Sequence, residues 1–88
     1  MNQDKRLFEA QEKAQTEKLR ENDHKADITI LGLDEAIQLM KAELWELQEE
    51  LNESERDIAK VRRELADVLN FGGAGVVACD RLIKDGKG

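Results

Sequence analysis

The segment LWELQEELNESERDIAKVRREL, residues 44–65, contains two helical stretches separated by a short polar turn. Asn52 is able to end the first helix. Ser54, with Asp57 three residues later, has the form of a capping box that begins the second. A connection this short places consecutive helices side by side and antiparallel. The segment therefore predicts a helical hairpin.

Apolar residues on both sides of this turn recur at the spacing of one helix face. In the first helix the steps are 4, 3, 4, 3 and 4 residues, over Leu33, Ile37, Met40, Leu44, Leu47 and Leu51. In the second helix steps of 3 and 4 alternate over Ile58, Val61, Leu65, Val68, Gly72, Gly75, Cys79 and Leu82. This spacing is typical of amphipathic helices. We expect Asp34 to cap the first helix, and the second to continue through its glycines to about Lys84.

Outside the hairpin the sequence predicts a charged N-terminal helix and a short connector. We assign residues 1–22 to that helix, 23–33 to the connector, 34–84 to the hairpin and 85–88 to a disordered tail. A chain of 88 residues buries only about 60 to 65% of the surface that its unfolded form exposes, which favours self-association. The predicted fold is all-α, an antiparallel helical hairpin assembled as a homo-oligomeric, four-helix-type bundle.

Charge and composition exclude several classes of function. The net charge of −6 disfavours binding to duplex nucleic acid. One cysteine, Cys79, and one histidine, His24, exclude an internal disulfide and a thiolate or imidazole metal cage. The longest uncharged apolar stretch, residues 71–79, is far shorter than the roughly 20 residues of a membrane span, and the N-terminus lacks a signal-peptide core. We expect a reduced, soluble, cytoplasmic protein.

Four acidic residues lie beside the apolar faces of the two hairpin helices. In heptad notation Glu43 and Glu64 both occupy position g, while Glu46 and Asp67 both occupy position c. Equal flanks face each other when two helices pack antiparallel. The pair Glu46 and Glu64 is symmetric about residue 55, inside the predicted turn, and so is the pair Glu43 and Asp67. We therefore expect the four carboxylates to converge.

Four carboxylates in one place need compensating positive charge, because each raises the pKa of its neighbours. Oxygen ligands at this density suit Mg²⁺ or Mn²⁺, with waters or phosphate oxygens completing an octahedral shell. The predicted metal ligands are Glu43, Glu46, Glu64 and Asp67. The alternative is a plain helical interaction module, since acids are common on charged helices and often serve ordinary i to i+4 pairs.

The stretches KAELWELQEEL (41–51) and VRRELADVLNF (61–71) resemble the paired E-x-x-E and E-x-x-D motifs of the MazG-like, all-α nucleoside triphosphate pyrophosphohydrolases. The resemblance covers roughly residues 33–83. Its matching positions are Glu43, Leu44, Glu46 and Leu47, then Glu64, Leu65, Asp67, Val68 and Asn70. It implies a dimeric or tetrameric hydrolase whose four acids hold Mg²⁺ and whose reaction splits a nucleoside triphosphate into a monophosphate and pyrophosphate.

Three further residues are candidates for substrate binding. The resemblance implies that Asn70 bonds to substrate or to a metal-bound water, the other interpretation being a solvated helix position. Trp45 either lines a base pocket or packs into a core or a subunit contact. Lys60 either approaches a phosphate or belongs to a solvated flank. The glycines of FGGAG, residues 71–75, lack the spacing of a P-loop and predict close helix packing in an oligomer.

Two non-catalytic hypotheses remain open. In the first, the chain is a helical binding protein, such as a small viral or bacterial factor, whose acidic face occupies a basic surface on another protein. In the second it is a passive coiled-coil spacer. A rise in melting temperature with Mg²⁺ or nucleotide would favour the enzyme, because a ligand that binds only the folded state stabilises it.

Overall fold

The computed structural model describes residues 2–21 and 27–86, which form three α-helices and one turn of 3-10 helix. The α-helices are α1 (Asn2–Glu21), α2 (Leu33–Leu51) and α3 (Ile58–Lys84), and the 3-10 turn is Ile28–Ile30. The predicted all-α class and helical hairpin are confirmed. Within the described ranges no helix combines the length and apolarity that a bilayer span needs. Residues 22–26 lie outside these ranges, and they include His24 and the first four residues of the predicted connector; residues 87 and 88 of the predicted tail lie outside as well.

The two hairpin helices begin at positions that differ slightly from the predicted caps. Gly32, not Asp34, is the N-cap of α2, and starting the helix there places Leu33 in its first turn, against α3. The capping prediction for Ser54 is wrong as well, because α3 starts after Asp57. The Asp57 carboxylate accepts a hydrogen bond from the backbone N–H of Lys60 at 3.2 Å, which satisfies a free donor of the first turn.

The α3 helix continues through its glycines without a break, as the apolar spacing predicts. A β-carbon built on Gly75 would stand 3.9 Å from the side chains of Ala36 and Leu33 in α2, and one built on Gly72 would stand 3.7 Å from Sδ of Met40. These are ordinary van der Waals separations. Packing against α2 therefore does not require glycine at either position.

The N-terminal helix α1 packs against α3, and within the described residues it shares no contacts with α2. Arg62 donates to Oε2 of Glu17 at 2.7 Å, and Nδ2 of Asn70 donates to the carbonyl oxygen of Gln15 at 3.4 Å. From Arg62 to Asn70 the residue number rises along α3, while the number of the α1 partner falls from 17 to 15. The two helices therefore run antiparallel. The architecture is thus a central α3 with α1 on one side and α2 on the other.

The core of the described residues is built mostly from small side chains. Its hydrophobic members are Leu47, Ala36, Ala66, Ala74 and Ala78. Within those residues no large side chain is fully buried. Part of the predicted apolar face lies on the surface instead, since Leu44 and Leu65 are each 46% exposed and Ile58 is 68% exposed.

The segment before α2 is tied to the C-terminal end of α3. The guanidinium of Arg81 donates to the carbonyl oxygen of Thr29 at 2.6 Å and to that of Leu31 at 2.8 Å. Hydrogen bonds with a charged donor are stronger than neutral ones. Arg81 therefore fixes residues 28–31 against the last turns of α3.

Candidate metal centre

The four predicted metal ligands lie on the two helices of the hairpin, Glu43 and Glu46 on α2 and Glu64 and Asp67 on α3, and these helices pack against each other. Burial raises the pKa of the Glu43 carboxyl most strongly, and together with the negative charges of Asp67, Glu46 and Glu64 it brings that pKa from the ordinary 4.5 to about 7. Charge effects of this kind act between groups that lie near one another. The structure thus brings carboxylates from both helices together, and we call these four residues the acidic cluster.

Glu64 is buried in this cluster, with 6% of its surface exposed. Neither of its carboxylate oxygens has a hydrogen-bond partner among the described residues, and the same holds for Oε2 of Glu43. Buried polar atoms in proteins are nearly always hydrogen bonded, and leaving one unpaired is unfavourable. These three oxygens fit the requirement of a divalent cation for hard oxygen ligands.

Lys18 of α1 brings a positive charge to the acidic cluster. Its Nζ lies 3.4 Å from Oδ2 of Asp67 and 3.8 Å from Oε2 of Glu21. Burial raises the pKa of the Asp67 carboxyl, and the Lys18 ammonium opposes that rise. The sequence carries only a faint signal for this contact. Leu7, Ala10 and Ala14 form a weak apolar stripe on α1, and Lys18 follows Ala14 on that stripe by one helical turn.

The side chains of the acidic cluster are not arranged with the geometry of a metal-binding site. Across residues 2–21 and 27–86, no three acidic, cysteine or histidine side chains have the geometry of a metal site. Glu46 is exposed, and Asp67 pairs with Lys18. Binding a cation here would require these carboxylates to turn toward Glu64, which rotation about their side-chain bonds permits.

Asn70 and Lys60 both have partners within the chain. Asn70 is 7% exposed and is held by its bond to the Gln15 carbonyl, so it is not a solvated helix position. The Lys60 Nζ lies 3.3 Å from Oε2 of Glu50, whose other oxygen accepts the backbone N–H of Asp57 at 3.0 Å. Both contacts hold structural elements together, Asn70 between α1 and α3 and Lys60 at the hairpin turn.

Trp45 is open to solvent. Its side chain is 71% exposed and borders a surface groove of about 340 Å³ that Lys41, Leu44 and Gln48 also line. Of the interpretations that the sequence leaves open for Trp45, packing into the core of the chain is the one that this exposure excludes. An exposed indole remains free to stack on a flat ligand or to enter a subunit contact.

Comparisons of this chain with models of protein families, with curated proteins and with solved structures find no match. The resemblance to the MazG-like enzymes therefore rests on two acidic motifs of the chain itself.

Proposed function

We propose that this chain is a Mg²⁺-dependent nucleoside triphosphate pyrophosphohydrolase of the MazG-like kind, acting as a homo-oligomer. The observation that carries the proposal is the Glu64 carboxylate, which is buried with two unpartnered oxygens beside three other acids. Burying a carboxyl group whose oxygens have no hydrogen-bond partner is unfavourable for folding alone. Such strain is expected where a ligand completes the site.

The electrostatics of the acidic cluster support a cation there. The raised pKa of Glu43, about 7, means that without metal a proton takes up part of the repulsion near neutral pH. A divalent cation would replace that proton and give the unpartnered oxygens of Glu64 a partner. Metal binding and proton release are therefore coupled in this proposal.

In the proposed reaction water attacks the α-phosphorus atom of the substrate, and pyrophosphate leaves. Glu43, Glu46, Glu64 and Asp67 would hold Mg²⁺ (or Mn²⁺), which screens the phosphate charge and activates water when bound. The chain contributes by anchoring two of these carboxylates on α2 and two on α3. The contact between the two helices then fixes their separation.

The substrate-binding candidates differ in the contacts within the chain that each would have to break in order to bind substrate. Trp45 is exposed and can stack on a base without rearrangement. Lys60 would exchange Glu50 for a phosphate oxygen, and Asn70 would have to leave Gln15. Lys18, beside Asp67, becomes available to a phosphate oxygen once a metal ion neutralises that carboxylate.

The proposal is tested by incubating the protein with canonical and modified nucleoside triphosphates and Mg²⁺ while measuring released pyrophosphate. We expect Glu64→Gln to abolish release. The matched control is Glu49→Gln, which changes an exposed glutamate of α2 outside the acidic cluster and should leave the rate unchanged. Absence of turnover on every nucleotide, with Mg²⁺ and with Mn²⁺, overturns the proposal.

A second candidate function is a helical binding protein whose acidic cluster receives a basic surface. The contact between Lys18 and Asp67 favours it, because it shows that an ammonium group fits against this cluster. The two candidates differ in their response to metal. A melting temperature that Mg²⁺ and nucleotides leave unchanged would favour the binding protein.

A further inference from the structure

Four large hydrophobic residues of α3 are exposed along one side of the helix. The exposed fractions are 68% for Ile58, 46% for Leu65, 61% for Val76 and 67% for Ile83. Their steps of 7, 11 and 7 residues return to the same direction within about 20°, because an α-helix has 3.6 residues per turn. We call these residues the α3 apolar line. They remain exposed although α1 and α2 both pack against α3.

The α3 apolar line is symmetric about the middle of its helix. Ile58 and Ile83 lie equally far from the midpoint between Asn70 and Phe71, and so do Leu65 and Val76. Two antiparallel copies related by a two-fold axis at that midpoint would therefore align large apolar residues along the whole helix. A two-fold interface uses the same surface on both subunits and requires this self-complementarity.

Gly72 and Gly73 lie near the centre of the apolar line, and packing inside the chain does not account for them. Interior glycine weakens a helix relative to alanine. A β-carbon at Gly72 would stand 3.7 Å from Met40, and one at Gly73 would stand 4.0 Å from Gln15, so alanine would fit at both positions. If the α3 helix of a second copy crosses at Gly72 and Gly73, it can approach the backbone of α3 closely, because glycine has no side chain in the way.

The small core also argues for an additional apolar contact. Within the described residues the buried hydrophobic side chains are four alanines and Leu47. Chains of this size commonly need oligomerisation or another constraint to be stable. Covering the α3 apolar line supplies the burial of large side chains that the single chain lacks.

We propose that two copies of this chain dimerise antiparallel through the α3 apolar line, about a two-fold axis at the middle of α3. Leu65 and Asp67 are two residues apart and therefore point about 200° apart around the helix. The dimer thus leaves Asp67 on the side of α3 that faces away from the partner. The interface depends on neither metal nor nucleotide, so it stands or falls separately from the proposed enzymatic activity.

Sedimentation equilibrium over a range of protein concentrations tests the dimer directly. We expect the wild-type chain to be dimeric and Leu65→Lys to raise the dissociation constant by about ten-fold or more, because it places a charge in the interface. The control is Leu39→Lys, which changes a leucine of α2 that is 40% exposed and off the line. A monomeric wild type, or equal effects of the two substitutions, overturns the proposal.

Cysteine cross-linking tests the antiparallel register and does not depend on destabilising variants. On a Cys79→Ser background, Leu65→Cys combined with Val76→Cys should give a covalent dimer on oxidation. In the proposed dimer, position 65 of one copy lies opposite position 76 of the other copy. These positions cannot link within one helix, where they are roughly 16 Å apart. Ile58→Cys combined with Val76→Cys is the staggered control. Failure of the first pair to link, or equal linkage of both pairs, overturns the register.

Discussion

The ammonium nitrogen of Lys18 lies 3.4 Å from Oδ2 of Asp67, so a cation from α1 already sits against the acidic cluster. Both side chains are largely shielded, with 21% and 18% of their surfaces exposed. Lys18 therefore stabilises the chain without metal, and it also stands where it would repel a metal ion bound by Asp67.

Replacing Lys18 should make the protein more dependent on metal. Without Mg²⁺, Lys18→Gln should lower the free energy of unfolding by about 1 kcal/mol, between the values for exposed and buried ion pairs. With Mg²⁺ the rise in melting temperature should exceed that of the wild type, because the competing charge is gone. Chemical and thermal unfolding measure both effects. Lys13→Gln, an exposed lysine of α1, is the control, and an identical response of the two variants would refute the competition.

Glu64→Gln should have opposite effects on stability and on metal response. Removing the charge from a buried, unpartnered carboxylate should raise the free energy of unfolding without metal by about 1 kcal/mol. The same variant should lose the Mg²⁺-dependent rise in melting temperature. Thermal melts with Mg²⁺ and with a chelator give both values. A destabilised variant that keeps its response to Mg²⁺ would contradict the assignment of Glu64 as a ligand.

The raised pKa of Glu43 predicts that metal-free stability falls with increasing pH. The folded state holds this proton up to about pH 7, whereas an unfolded glutamate loses it near 4.5, so folding weakens as pH rises from 4.5 through 7. Urea unfolding at several pH values measures the slope. Glu43→Gln should flatten the curve in this window. A variant whose slope equals that of the wild type would show that other groups titrate there.

Substituting alanine for Gly75 and for Gly86 should change the free energy of unfolding in opposite directions. Gly75→Ala should raise the free energy of unfolding by about 0.5 to 1 kcal/mol, because its β-carbon meets ordinary contacts and alanine favours helix. Gly86, with φ of 75°, adopts the left-handed conformation that follows many helices, so Gly86→Ala should destabilise by about 1 kcal/mol. Urea unfolding of both variants tests this contrast, and a destabilised Gly75→Ala would mean that α2 and α3 pack more tightly there.

The hairpin and the acidic cluster were predictable because both follow from local regularities. The spacing of apolar residues defines α2 and α3, and the short turn between them forces an antiparallel pair. Symmetry about that turn then brings Glu43 near Asp67. The spacing of apolar residues does not show whether an apolar face packs within the chain or against another one. Leu44 and Leu65 accordingly belong to the predicted apolar faces and are nevertheless each 46% exposed.

The position of α1 was not predictable from the sequence. Its apolar stripe is too weak to show which side faces α3, so the contacts of Lys18 and Gln15 became visible only in the structure. The start of α3 illustrates a similar limit. Both Ser54 and Asp57 have suitable side chains for a cap, and Glu50 favours the later start by accepting the backbone N–H of Asp57.

Among the described residues α1 contacts α3 and not α2. Lys18, which lies against Asp67, is therefore on a different helix from all four proposed metal ligands. The four carboxylates belong to the hairpin of α2 and α3, while the ammonium group of Lys18 belongs to α1, which packs against α3. If the four carboxylates bind Mg²⁺ as proposed, substitutions at Lys18 would change the affinity for that ion while every proposed ligand stays unchanged. Single substitutions at position 18 would then let evolution change the affinity for the ion in small steps.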